Sequence, residues 1–349
     1  MPGALLLVSI FITMPALAAD QQGSLIARPG AFPTLINPNC SHCRDEAKRR
    51  AKELRDDDRV LCWIRGYSDG GAIPFRFFLN RYPVISDSYG VFVYDHDAGY
   101  ARGYAPSYNF RFQGWRNGVM VMKHKDGTLY SCLSGRAFEG PKKGTRLTPI
   151  PTLVSDWGVW LKSYPQAVAY HMFDKYKPVE LPARPNEDAS KSRGPVDPRL
   201  PEDTPVLGVV IGNEKKAYPL TALEKNRIIY DTLDGHPVVV VWQGSTRTAA
   251  AYSPEAIPPR KYPAPRPNAD GESTMPEQPK NVLRSVDLVH ANDVAAAQFM
   301  DKDSGSHWDV AGRAVDGKMK SWTLTWRDSV QVKWFAWSAE YPETSIHGK

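Results

Sequence analysis

The chain repeats itself. Gly135-Arg136-Ala137-Phe138-Glu139-Gly140 is followed by Asp156-Trp157-Gly158-Val159-Trp160 and then by Tyr164-Pro165. The same order returns as Gly312-Arg313-Ala314-Val315-Asp316-Gly317, Lys333-Trp334-Phe335-Ala336-Trp337 and Tyr341-Pro342. Arg136 to Arg313, Trp157 to Trp334, Trp160 to Trp337 and Tyr164 to Tyr341 are all one step of 177 residues. A fixed step of this kind marks a chain built from copies of one unit.

The repeat reaches further upstream at a shorter step. Val206-Leu207-Gly208-Val209-Val210-Ile211-Gly212 matches Val60 to Gly66 at an offset of 146, and Val238 to Trp242 matches Gly90 to Tyr94 at 148. Tyr252-Ser253-Pro254 answers Tyr104-Ala105-Pro106, also at 148, so 29 extra residues enter the second copy before the step reaches 177. They are visible as a stretch rich in Pro, Lys, Arg and Glu, which reads as an exposed loop over 253–283.

Within each copy the apolar residues come in short runs: Val60 to Ile64, Gly90 to Tyr94 and Val119 to Met122 in the first, Val206 to Ile211 and Val238 to Trp242 in the second. Runs this short between turn residues are strand signals. Asp126-Gly127 marks a hairpin turn, because glycine tolerates positive φ. Ser155 to Tyr164 is expected to form one short helix with Trp157 and Trp160 facing inward. With 30 prolines and 26 glycines the composition also suits strands and loops better than a helical bundle. The expected fold is therefore mainly β (a β-rich α+β protein): two tandem homologous units with short helices, preceded by an N-terminal helix. The expected division is an arm and helix over 20–58, a first unit over 59–173, a Pro-rich linker over 174–203 and a second unit over 204–349.

Residues 1–19 read as a signal peptide, with an apolar run from Leu5 to Leu17 and an Ala-x-Ala site at Ala16-Leu17-Ala18. The run is shorter than the roughly 20 residues a spanning helix needs. An exported protein, periplasmic or secreted, is expected, with no transmembrane segment in the mature chain. The net charge of +6 is spread along the sequence, and no nucleic-acid module accompanies it, so no nucleic-acid partner is expected.

Cys40-Ser41-His42-Cys43 opens the helix expected from Arg44 to Arg55. Amides at a helix start stabilise a thiolate, which favours thiol–disulfide exchange by Cys40 and Cys43. Two thiolates with the His42 imidazole also suit copper(I) or zinc. A structural disulfide is the third reading, and sequence alone cannot pair four cysteines. Cys62 and Cys132, in apolar strand contexts, are expected to be a buried thiol pair or one disulfide. Asp95-His96-Asp97 follows a strand, where a turn explains the residues as well as a cation site would.

Arg136 and Arg313 occupy matched places after glycine, each with an acidic residue three positions on. The expectation is a buried pair with a carboxylate, or an anionic ligand held in a cleft between the units. No G-x-S-x-G, H-E-x-x-H, P-loop or dinucleotide fingerprint occurs, so no nucleotide cofactor is expected.

The second unit resembles the DUF3179 family, a domain of unknown function. The resemblance rests on Val206-Leu207-Gly208-Val209, Lys216-Ala217-Tyr218-Pro219-Leu220, Tyr230 to Val240, and Ser304-Gly305-Ser306-His307-Trp308 before Gly312-Arg313-Ala314. The first unit shares its latter half, through Lys125 to Tyr130 and Ser134-Gly135-Arg136-Ala137. Family members typically carry C-P-x-C-G after the valine-rich strand. Here Gln243 and Thr246 stand at those thiol positions, and Asp95 and Ala98 in the first unit. The resemblance therefore implies no redox site at that place. Two functions remain as expectations: a thiol-redox or metal-handling accessory protein acting through Cys40, His42 and Cys43 with an envelope or redox partner, or a non-enzymatic envelope binding or scaffold protein with a ligand cleft between the repeats.

Overall fold

A computed structural model describes residues 23–36, 44–46, 54–65, 69–79, 82–86, 89–107, 109–165, 167–170, 186–259, 266–267, 273–274, 283–291 and 297–349. The fold is mainly β, and each unit builds three small sheets in the same order.

The first sheet of each unit carries the tryptophan helix. In unit one, Arg59–Arg65 lies between Asp69–Pro74 and Thr152–Asp156, both antiparallel, and Val168–Tyr170 adds parallel to Asp69–Pro74. In unit two, Pro205–Ile211 lies between Glu214–Pro219 and Ser329–Lys333, and Ser345–Ile346 adds parallel. The helices Trp157–Ser163 and Trp334–Glu340 follow the matched edge strands. A valine sheet comes next: Val84–Ser86, Val91–Asp95, Tyr100–Tyr104 and Pro149–Ile150 in unit one. Its counterpart is Ile228–Leu233, His236–Gln243, Thr248–Ile257 and Thr323–Trp326. The third is a hairpin sheet, running from Phe110–Arg116 through Val119–His124, Leu129–Ser131 and Ala137–Glu139. In unit two it is shorter: Leu288–His290, Phe299–Asp301 and His307–Trp308.

Successive strand residues point to opposite faces, and the apolar runs use both. Leu61 and Trp63 face their own valine sheet, in a core with Ile73, Phe78, Phe92 and Tyr94. Val60 and Cys62 face the other unit, in a core with Trp157, Trp160, Val239, Val241, Tyr252 and Trp308. Unit two repeats the division. Leu207, Val209 and Ile211 pack on Val238, Val240 and Trp242 of their own unit. Val206, Trp334, Trp337 and Tyr341 pack on Val91, Val93, Tyr104 and Met120 of unit one. Each helix-bearing sheet is thus sealed on one side by its sibling. At about 1.5–3 kcal/mol per fully buried large apolar side chain, neither unit keeps a dry core alone.

Arg44–Glu46 is a strand at the edge of Val168–Tyr170, antiparallel to it, and not the start of a helix. The open strand edge supplies these three residues with a hydrogen-bonding ladder, and residues 47–53 of the expected helix lie outside the described residues. The segment between the units contains a helix, Glu187–Lys191, capped by Asn186, whose side chain accepts from the Asp188 and Ala189 amides. Asp188 of that helix pairs with Arg28 of the N-terminal arm at 2.9 Å. Of the second unit's insert, Arg266–Pro267 pairs with Ser273–Thr274.

Candidate functional site

The interlocked units meet twice, at two interfaces related by the repeat. One is filled. There Tyr341 of unit two lies beside Arg102 and Arg146 of unit one. Arg102, with a side chain 3% exposed, donates to Asp328 and to the Leu133 carbonyl at 2.6 Å. Arg146 reaches the other oxygen of Asp328 at 2.5 Å and the Ser134 carbonyl at 2.8 Å. Burial works against the Arg102 charge, and Asp328 more than offsets it, so the guanidinium is held above its ordinary range. Ser131 donates to the Glu340 carboxylate at 3.0 Å, and Ser134 donates to its second oxygen. Trp337 lies flat on Gly208, and its Nε1–H donates to Thr344 Oγ1 at 2.9 Å.

The other interface is hollow. The strand registers Val93↔Arg102 and Val241↔Ala250 place Ala250 where Arg102 stands. The bridges Arg136↔Arg146 and Arg313↔Thr323 place Thr323 where Arg146 stands, and the 177-residue step places Pro151 at Asp328. With the ion cluster replaced by small residues, a cavity of about 390 Å³ remains. Trp63, Trp160, Tyr164, Tyr252 and Trp326 form most of its wall, with Cys62 between them and Arg313 as its charged group. This is within the size range of small-molecule pockets, which are mostly apolar with a few placed polar groups.

Arg313 is held from three sides. Its Nη2 donates to the Ser163 carbonyl, its guanidinium lies 4.4 Å from the centre of the Tyr164 ring, and Nε is 3.8 Å from Asp309 Oδ2. Asp309 is buried and accepts from the Arg313 amide at 3.0 Å. Burial pushes its carboxyl up to about 6, against the pull of Arg313 and two backbone amides. Asp316, three positions after Arg313, pairs instead with His307 at 2.9 Å. Three of the lining residues, Trp160, Trp326 and Tyr164, carry a buried donor with no hydrogen-bond partner among the described residues, and Trp160 Nε1 lies against Gly70.

Arg136 and Arg313 do not share a cleft. Arg136 is exposed and lines a separate polar cleft of about 430 Å³ with Arg116, Lys143, Ser131 and Glu340. Cys62 and Cys132 are free thiols, both fully buried, in different cores. Burial pushes both thiols up, so neither is a ready nucleophile. At the positions of the family's paired thiols, Asp95 accepts from the Ala98 and Met120 amides at 3.1 and 2.8 Å. Thr246 donates to Gln243 at 3.2 Å and lies 2.7 Å from the Thr248 hydroxyl. Asp97 accepts from the Asn186 amide, so the Asp95-His96-Asp97 carboxylates serve the turn and its neighbour. Among the described residues no group of His, Cys, Asp and Glu is placed to hold a metal ion. Cys40, His42 and Cys43 lie outside the described residues, as does the leader expected over 1–19. No helix among the described residues is long and apolar enough to cross a membrane.

Fold and site together define a tandem β-repeat protein with a pocket between its two units. A family model described as "Protein of unknown function (DUF3179)" matches residues 183–262 and 269–344. The second half of the chain is thus similar to the DUF3179 family. Both matched segments lie in the second half, broken within the insert, and the first unit joins them through the repeated sheets. No curated protein and no solved structure matches the chain.

The pocket's main residues were only partly visible in the sequence. Arg313 and Tyr252 were found through the repeat, whereas Asp309 and Trp326 were not. Their signal lies in the differences between copies: Asp309 stands where unit one has Cys132, and Trp326 where it has Pro149.

Proposed function

We propose that this protein is an exported small-molecule binding protein whose ligand sits between the two units, against Arg313. The observation that carries the reading is the asymmetry of the interfaces. The same backbone frame is closed by Arg102, Asp328 and Arg146 on one side, while on the other Pro151 and Thr323 line a cavity and Ala250 stands in place of Arg102. A cavity between packed sheets costs stability through lost contacts, and a bound ligand restores them. The apolar run from Leu5 to Leu17 and the Ala16-Leu17-Ala18 site, read as a leader over 1–19, support placement outside the cytoplasm.

The test is thermal unfolding of the full chain with a panel of small aromatic and aliphatic compounds, run beside Ala311→Leu. Ala311 lines the cavity and is 7% exposed, so leucine takes up part of the space. Compounds that stabilise the native chain should lose their effect in the variant. Equal stabilisation of both proteins places binding elsewhere and ends the reading.

A further inference from the structure

We infer that the ligand is a planar aromatic carboxylate of one or two rings. This rests on the pocket being a binding site at all, and it follows from what its wall offers. The wall is built of rings: Trp63, Trp160, Tyr164, Tyr252 and Trp326 surround a space of about 390 Å³. Rings prefer offset or edge contact with other rings, so a flat aromatic body fits such a wall better than a flexible chain does.

The polar groups then select the ligand's polar end. An indole N–H is a donor only, and a guanidinium carries five donors and no acceptor. Trp326 Nε1 is buried without a partner among the described residues, and Arg313 commits one Nη2 hydrogen to Ser163. An unmade hydrogen bond at a buried donor costs about 1–3 kcal/mol. An indole N–H and a guanidinium beside one cavity ask for a group that only accepts. A carboxylate does this with two oxygens and pairs well with a guanidinium. A sugar brings a hydroxyl donor with nearly every acceptor, and this wall has few acceptors to meet them. The repeat offers an internal precedent: at the filled interface the group answering Arg102 and Arg146 is the Asp328 carboxylate. In the hollow interface the ligand's carboxylate would likewise answer a guanidinium, here that of Arg313, with the Trp326 indole as a second donor.

Isothermal titration of the full chain with 2-naphthoate, its neutral methyl ester, naphthalene and glucose tests this. 2-Naphthoate is expected to bind about 10-fold or more tightly than the ester, the margin of a charge-assisted hydrogen bond. Trp326→Phe keeps a ring and removes the donor, and Arg313→Gln removes the charge. Each should weaken naphthoate by about 10-fold and the ester by less, narrowing the gap between them, whereas a folding defect would weaken both alike. If ester and naphthalene bind as tightly as naphthoate, or if glucose alone binds, the carboxylate assignment is overturned and the pocket stands. If none of the four binds, and Ala311→Leu leaves the panel of stabilising compounds unaffected, the pocket reading falls with it.

Discussion

At the Tyr341 interface unit two meets two guanidinium groups with a carboxylate between them; at the Tyr164 interface the same three places hold alanine, threonine and proline. The strand registers on the two sides agree residue for residue around these places. Backbone therefore does not explain why one side is solid and the other hollow; side chains do. The carboxylates have also changed sides. Glu340 of unit two accepts from Ser131 and Ser134 of unit one, whereas at the hollow side Asp309 belongs to unit two and Ser163 of unit one sits where Glu340 would be. A duplicated unit that interlocks with its sibling creates two equal interfaces. Specialising one to hold the chain together leaves the other free to hold something else.

The strongest way to break this comparison is Asp328→Ala. It leaves Arg102 buried without its countercharge, and removal of one partner from a buried pair costs about 3–5 kcal/mol. Pro151→Ala, at the matched place in the hollow interface, removes no charge and should cost less than about 1 kcal/mol. Urea unfolding of both variants decides it. Near-equal losses would mean that the ion cluster does not hold the filled interface.

Gly208→Cys sharpens the comparison with a smaller effect. Cys62 is the matched residue in unit one and borders the cavity, whereas a Cβ at Gly208 would enter van der Waals space of the fully buried Trp337 ring. Overpacking of this kind costs about 1–3 kcal/mol, again read from the urea midpoint. A neutral outcome would mean that the filled interface has as much slack as the hollow one.

Much of the frame was legible in the residues. The step from Arg136 to Arg313 announced two units, and the double-faced valine runs announced strands with no solvent side. Trp157 and Trp160 are buried on the short helix that was expected of them. What pattern cannot say is whose sheet covers the second face. Val60 and Cys62 look the same in sequence whether they pack on their own unit or on the other, because alternation encodes burial and not the identity of the partner. The interlock, and with it the pocket, therefore came only from the structure. A sharper signal was present in the departures from the repeat. Arg102 sits inside the apolar strand Tyr100–Tyr104, where a charge is costly unless paired, and its counterpart is Ala250. At Arg44–Glu46, where the helix was expected to start, the strand edge at Val168–Tyr170 offers the backbone a ladder that the local pattern did not announce.

The two buried cysteines give the finest test, since they report on the two interfaces with the same chemical group. Cys62 lies on the cavity wall, and Cys132 lies in the filled core beneath Tyr104, whose hydroxyl donates to the Cys132 carbonyl at 2.8 Å. Both thiols are pushed up by burial, so neither should react with a charged reagent such as a dithiobis-benzoate in the native protein. Rapid reaction there would belong to Cys40 and Cys43. A small neutral reagent, methyl methanethiosulfonate, can enter a cavity but not a packed core. Peptide mapping by mass spectrometry should find Cys62 modified well before Cys132, with a bound aromatic carboxylate slowing Cys62 alone. Equal rates would mean that both thiols are reached only when the whole chain opens, and the hollow interface would then be closed to anything arriving from solution.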